Sequence, residues 1–441
     1  MTDPFVLGLL GLVLLMLLIV VRVPIAYTMI LVGIVGTMIE SGPAIVFSQL
    51  KDLAYAQFSN YDLTVLPMFI LMGGLASRCG LSRDLFRGAN AWLGRFRGGL
   101  AMSAVAACAG FGALCGSSTA TASTMGQVAL PELRRYKYSP ALATGTIAAG
   151  GTLGILIPPS VVLIVYAIIV ETNIVTMFAA ALIPGLLAML MFMLTVAVYV
   201  RLVPGSGPAG EAVPRAELLS ASLAVIPVVV IFGIVIGGIY AGIYAPTPAA
   251  AIGVFLVTLY GIGRGRLNRA QFVDALLETA RTSGMIFMIL LGAELLKIFM
   301  ARAGVPQAAA SFLQNSGMTP YEILGLIILM FLVFGCLMDS LSMVILAIPF
   351  FWPVVAGLDF GLGPEETKIW FGIIILVVVE LGLITPPVGL NVFIINQMAP
   401  DVPMRQTFKG VMPFFASEMV RITLLVAFPV ISLLLPRLLA Q

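Results

Sequence analysis

The sequence predicts an all-α polytopic membrane protein built from two inverted repeats. Each repeat pairs a re-entrant helical hairpin with a transmembrane helix broken at a Pro-Pro pair. Three observations predict this fold. Apolar runs of membrane-spanning length recur from end to end, the charges force two stretches to enter and leave on one side, and two motifs recur in the same order in both halves.

Of the 441 residues, 61% are hydrophobic and 10% charged, and the mean hydropathy is +1.12. Soluble domains carry roughly 25% charged residues, whereas the apolar runs here, roughly 17 to 25 residues each, suit a hydrocarbon core about 30 Å thick. The surroundings are therefore a lipid bilayer, and no nucleic-acid partner is expected. Residues 5–21 follow Asp3, with no basic segment before them and no small-x-small cleavage site after them, so they read as a first membrane helix. Cys79, Cys108, Cys115 and Cys336 show no metal-like spacing and read as small packing residues. The chain has no histidine. That removes the commonest metal ligand and general base, so neither an enzyme nor a transition-metal site is expected. No Walker A motif is present, so transport energy has to come from an ion gradient or a partner.

Lys and Arg concentrate in four blocks: Arg78 to Arg97; Arg134, Arg135 and Lys137; Arg201 to Arg215; and Arg264 to Arg281. The positive-inside rule makes these cytoplasmic. Walking back through helices at 63–77, 24–40 and 5–21 puts the N-terminus outside, with Arg22 inside. Residues 99–131 lie between two cytoplasmic blocks, so they form a hairpin with limbs of about a dozen residues, roughly 18–20 Å each. Its tip, Cys115-Gly116-Ser117-Ser118-Thr119-Ala120-Thr121, is small and polar, as irregular backbone at that depth must be when it lies inside protein or beside water. Residues 321–356 behave likewise from the opposite side, centred on Met338-Asp339-Ser340-Leu341-Ser342. Residues 266–282 are amphipathic and are expected to form an arm along the cytoplasmic surface.

The hairpins share a pattern. Phe111-Gly112-Ala113-Leu114-Cys115-Gly116-Ser117 matches Phe334-Gly335-Cys336-Leu337-Met338-Asp339-Ser340 at an offset of 223 residues, and Leu153-Gly154-Ile155-Leu156-Ile157-Pro158-Pro159 matches Leu381-Gly382-Leu383-Ile384-Thr385-Pro386-Pro387 at 228. Such interrupted segments in corresponding places mark the central site of many secondary transporters. A Pro-Pro pair removes two N–H donors and bends the residue before it out of the helical region. Freed carbonyls before the break can face a cation. The next half-helix, beginning near Ser160 or Val388, turns N–H groups and a positive dipole end toward an anion. The expected organisation is N-terminal scaffold helices in 1–98 and a first repeat core in 99–200, with its broken helix at 140–172. Connecting helices follow in 201–320, and a second core with the last helix in 321–441, its broken helix at 368–398.

A first Na⁺ site is assigned to Ser117, Ser118, Thr119, Thr152, Ile155 and Pro158, and a second to Asp339, Ser340, Ser342, Thr385 and Pro386. Hydroxyls and freed carbonyls supply the oxygens, and an ionisable Asp339 at that depth is functional by default. The substrate is placed between the tips and the half-helix N-termini, at Gly116, Thr121, Ser160, Ser340, Gly389 and Asn391. No Arg or Lys lies in the hairpin-tip and break segments to pair with it. Glu380, six residues before Pro386, has three open roles: holding a proton, a cation or a neighbouring helix. Glu294 and Lys297 pair along one helix face.

The run Gly116-Ser117-Ser118-Thr119-Ala120-Thr121-Ala122, then Gly151-Thr152-Leu153-Gly154-Ile155-Leu156-Ile157-Pro158-Pro159-Ser160, resembles the large membrane subunit of tripartite ATP-independent periplasmic (TRAP) transporters. So does Met338-Asp339-Ser340-Leu341-Ser342, followed by Gly382-Leu383-Ile384-Thr385-Pro386-Pro387-Val388-Gly389-Leu390-Asn391. The resemblance covers the whole chain in length and motif order. It implies Na⁺-coupled carboxylate uptake by an elevator motion, a small four-helix membrane subunit as a separate chain, and a periplasmic substrate-binding protein. One departure is Val378-Val379-Glu380-Leu381, where many members carry an Asn-x-Ala-type stretch. A self-sufficient anion symporter or antiporter of the same plan is the alternative, separable by reconstitution with and without the binding protein.

Overall fold

The computed structural model describes residues 3–210, 213–308, 311 and 317–439. Among them the chain is helical throughout, with one isolated bridge between Arg97 and Ala209. Five helices are long and apolar enough to cross a bilayer singly: Ile174–Leu202, Arg215–Tyr240, Pro246–Gly263, Arg269–Arg302 and Met404–Ala427. The expected first spans are Pro4–Val20 and Ile25–Ser41. Pro4–Val20 turns Leu10, Val13 and Leu17 outward, each more than half exposed, as a lipid-facing helix does.

Two helix pairs occupy the stretches expected for the hairpins. The first consists of Gly99–Cys115 and Ser118–Arg135, the second of Pro320–Gly335 and Ser340–Ala356. The limbs are longer than the expected dozen residues: the first hairpin's have 17 and 18, about 26 Å at 1.5 Å per residue. The reason is local. Pro131 is carried inside the second limb, which runs on to Arg134 and Arg135 in its last turn, where cations complement the helix dipole. Fourteen of the 17 residues of Gly99–Cys115 are buried, so protein rather than lipid surrounds this hairpin.

The broken helices are Pro140–Leu156 with Val161–Ile169, bent by 46°, and Pro364–Gly382 with Leu390–Met398. Both Pro-Pro bonds are cis. The second half-helix of the second pair starts at Leu390, two residues later than expected, because Gly389 takes a left-handed φ of 59° as its N-cap. The run Ile373 to Gly382 is buried on every face, which is why it reads as continuously apolar rather than periodic.

The matched motifs make matched contacts. A Cβ on Gly112 would lie 2.7 Å from Gly154 Cα, and one on Gly335 would lie 3.0 Å from Gly382 Cα. In each half, the hairpin's first limb thus crosses its broken helix backbone to backbone, at the glycine that the repeat pairs. Longer-range ties join the halves into one body. Tyr166 Oη donates to the Lys368 carbonyl at 2.7 Å, and Arg134 pairs with Asp401 at 2.6 Å.

One connecting segment differs from expectation. Residues 266–282 are not a separate surface arm. From 269 they are the opening turns of one continuous helix, Arg269–Arg302, started by an Asn268/Gln271 capping box and about 51 Å long. Nothing in the interval stops it, since no proline follows Asn268 before Pro306. The amphipathic helix of this region is instead Leu81–Leu93, which bends 65° away from the preceding helix. It buries Leu81, Leu85 and Phe86 and exposes Arg83 and Arg87. Arg266 secures it through Asp84 at 2.6 Å.

Candidate functional site

The hairpin tips are built as helix starts. In the first, Gly116 takes a left-handed φ of 62°, and Ser117 becomes the N-cap of Ser118–Arg135, accepting from Ala120 N at 3.4 Å. In the second, Asp339 is the N-cap of Ser340–Ala356 and accepts from Ser342 N at 3.1 Å. Asn, Asp and Ser are the strongest N-cap residues because their side-chain oxygens satisfy N–H groups that have no partner in the helix. The polar residues at the tips therefore have a folding role as well as any chemical one.

The two helix starts converge on a single carboxylate. Ser118 Oγ donates to Glu380 Oε2 at 2.5 Å, and Ser340 Oγ donates to Glu380 Oε1 at 2.7 Å. All three side chains are buried, Glu380 at 1% exposure. Both helix N-termini present positive dipole ends there. Glu380 thus bridges the tips from a third element, Pro364–Gly382.

Below it lies a feature the sequence reading missed. Glu418 and Arg421, on Met404–Ala427, are 2% and 1% exposed. Arg421 Nε donates to Glu418 Oε2 at 2.9 Å, its Nη2 reaches the same oxygen, and its Nη1 donates to the Pro184 carbonyl at 3.1 Å. Glu418 Oε1 has no hydrogen-bond partner. The available signal was two opposite charges three residues apart in the apolar second half of this helix.

A cleft of about 660 Å³ opens beside the tips. Its walls are Gly116, Ser117, Ser118, Thr119 and Ile155 on one side with Asp339, Ser340 and Leu341, and the helices Val65–Arg78 and Arg269–Arg302 on the other. Ser123, Thr124 and Gln127 extend the polar wall down the first hairpin, and Thr279 and Thr282 face them. The spacing Thr119, Ser123, Gln127 is a polar i, i+4, i+8 stripe and was legible as one helix face. At the rim, Arg78 pairs with Glu278 at 2.7 Å. Gly73 touches the first tip so closely that a Cβ would lie 2.8 Å from Cys115 Cα.

The other assigned residues lie outside this lining. Thr121 is buried and its Oγ1 has no partner. Thr152 Oγ1 donates to the Ala149 carbonyl at 2.6 Å, and Thr385 Oγ1 to the Leu381 carbonyl at 2.6 Å. Ser160 is fully buried and caps Leu163 N at 3.3 Å. Asn391 Nδ2 donates to the Ala148 carbonyl at 3.4 Å, pinning the second broken helix to the first. Ser342 is buried behind Asp339. The two breaks differ in exposure: Ile157, Pro158, Pro159 and Ser160 are buried, whereas Pro386, Pro387 and Val388 are exposed and Gly389 is buried behind them. Glu294 and Lys297 are 3.5 Å apart, and Arg302 donates to Ser41 Oγ at 3.1 Å on the exposed scaffold.

The tips, with their hydroxyls, carbonyls and carboxylate, offer hard oxygen donors of the kind that hold Na⁺ at broken helices. Residues 12–431 match the family described as "Tripartite ATP-independent periplasmic transporter, DctM component". The chain is 34% identical over 380 residues to the C4-dicarboxylate TRAP transporter large permease protein DctM of Pseudomonas aeruginosa, covering 86% of each. It is 31% identical to the DctM protein of Vibrio cholerae, covering 95% of each. It is 28% identical to the sialic acid TRAP transporter large permease protein SiaM of Vibrio cholerae, covering 94% of this chain and 95% of that one. Among solved structures, the Alcanivorax borkumensis YdaH transporter aligns with a TM-score of 0.63 at 13% identity, over 97% of this chain and 98% of that one, a likeness of fold.

Proposed function

Since the chain belongs to the DctM family of TRAP transporter large permeases, we propose that it carries out Na⁺-coupled uptake of a small organic carboxylate. In this reading a periplasmic binding protein delivers the substrate and a separate small four-helix subunit completes the membrane unit. The observation that carries it is the convergence of both hairpin tips at the head of a hydroxyl-lined cleft. The relatives are named for C4-dicarboxylates and sialic acid; both are carboxylates, which is the class proposed here.

Two ion sites, one at each tip, fit the donor set of Ser117, Ser118 and Thr119 and of Asp339 and Ser340. The matched glycine crossings support an inverted-repeat plan. The close approach of Gly73 to the first tip supports an elevator, in which the hairpin body slides along Val65–Arg78 and Arg269–Arg302. Arg78 and Glu278 sit at the cleft rim on the side that the positive-inside rule makes cytoplasmic. The arrangement is then inward-facing, in a bacterial inner membrane with the N-terminus periplasmic. The test is uptake of a C4-dicarboxylate or sialic acid into proteoliposomes holding the permease with its small subunit and binding protein. Uptake is expected to need both an inward Na⁺ gradient and the binding protein. Uptake without Na⁺ would reject the coupling, and uptake without the binding protein would favour the self-sufficient symporter.

A further inference from the structure

We propose that Glu380 is a positioning residue that clasps the two hairpin tips together, so that ion binding at one tip is transmitted to the other. The inference rests on the reading of one Na⁺ site per tip.

The clasp is made of particular atoms. Ser118 and Ser340 belong to different hairpins and stand 222 positions apart in the chain. Each places its hydroxyl on a different oxygen of one carboxylate, at 2.5 and 2.7 Å. A carboxylate is rigid and planar, so a shift of one serine turns the group and lengthens the bond to the other. Ser118 and Ser340 are also the first helical residues after the N-caps Ser117 and Asp339. Any displacement of a cap oxygen toward an ion therefore moves the adjoining serine directly. The backbone behind the clasp cannot absorb the movement. Gly382, two residues beyond Glu380, is in backbone contact with Gly335 of the second hairpin, and Gly154 holds the first tip at the Ser117 carbonyl. Buried hydrogen bonds of this kind are expensive to leave unmade, so both tips are held in the same state.

The prediction is coupling between the sites, read as cooperativity. In proteoliposomes holding the complete transporter, substrate uptake against Na⁺ concentration should show a Hill coefficient of about 2 with Glu380 and about 1 in Glu380→Met, which keeps the length of the side chain and loses both bonds. Glu380→Gln should retain a value of about 2, because a glutamine can accept from one serine and donate to the other. A second measurement does not depend on any change at Glu380. Ala120→Cys and Leu341→Cys, one on each tip and both lining the cleft without being assigned to an ion, should be protected from a polar thiol reagent at Na⁺ concentrations that agree within about twofold. In a Glu380→Met background those concentrations should separate by about fivefold or more.

The proposal is overturned if the protection concentrations differ with Glu380 intact, or if folded Glu380→Met keeps its cooperativity. It is also overturned if Glu380→Gln behaves as Glu380→Met, since charge rather than two-point attachment would then be responsible. Loss of all Na⁺ dependence in the unaltered chain would instead reject the underlying coupling.

Discussion

Gly154→Ala tests whether the first tip is seated on its broken helix by backbone contact. A methyl at this position would lie 2.5 Å from Thr121 Oγ1 and 2.6 Å from the Ser117 carbonyl oxygen. Thr121 can rotate away, but the Ser117 carbonyl is main chain and can move only if the whole tip lifts. Overpacking of this kind costs about 1–3 kcal/mol, while the alanine returns about 1 kcal/mol of helix propensity. The net loss is about 1 kcal/mol, roughly a fivefold change in an equilibrium. Because the strain falls on the N-cap of the tip, it should appear as a rise of about fivefold in the Na⁺ concentration giving half-maximal uptake, with maximal uptake retained. Gly382→Ala is the matched variant in the second repeat, where the methyl would meet Gly335 Cα at 2.5 Å, and it should behave alike. Gly284→Ala is the control: no atom lies within 4 Å of its added methyl, so Na⁺ dependence should stay put and stability should rise by up to about 1 kcal/mol. Unchanged Na⁺ dependence in both Gly154→Ala and Gly382→Ala would refute the seating argument.

Other expectations follow from the same geometry. Ser117→Ala removes a cap and a hydroxyl at the first tip, so half-maximal uptake should need more Na⁺, with a stability loss of about 1 kcal/mol by thermal melting. Arg421→Met strands Glu418 in the interior at a cost of about 3–5 kcal/mol, whereas the paired change Arg421→Met with Glu418→Leu should recover most of the melting temperature. Arg134→Ala breaks an exposed pair with Asp401 and should cost no more than about 1 kcal/mol, with uptake intact. A substrate-bound structure should place a carboxylate at the cleft head within about 5 Å of a hairpin tip, the reach of a charge-assisted bond or one through an intervening Na⁺. A carboxylate held instead by Arg302 would contradict the site.

What the sequence determined by itself was local and repeated. Pro158-Pro159 and Pro386-Pro387 break helices wherever they stand, because a proline lacks the donor a helix needs. Gly116-Ser117 and Asp339-Ser340 start helices because their side chains cap free N–H groups. Charge blocks set the expectation of which segments turn back, and the paired glycines were visible as a pattern before they were visible as contacts. Limb lengths and the course of 266–282 differ from expectation because Pro131 is carried inside its limb and no proline after Asn268 stops the helix before Pro306. Tertiary structure alone decided the partners of Glu380. Its acid was conspicuous in an apolar run, yet Ser118 lies 262 residues away and Ser340 lies 40. No periodicity encodes pairings of that span. The same holds for Arg421 against the Pro184 carbonyl, 237 residues apart. A buried polar group must find a partner, but which one it finds depends on how the hairpins, the broken helices and Met404–Ala427 close around it.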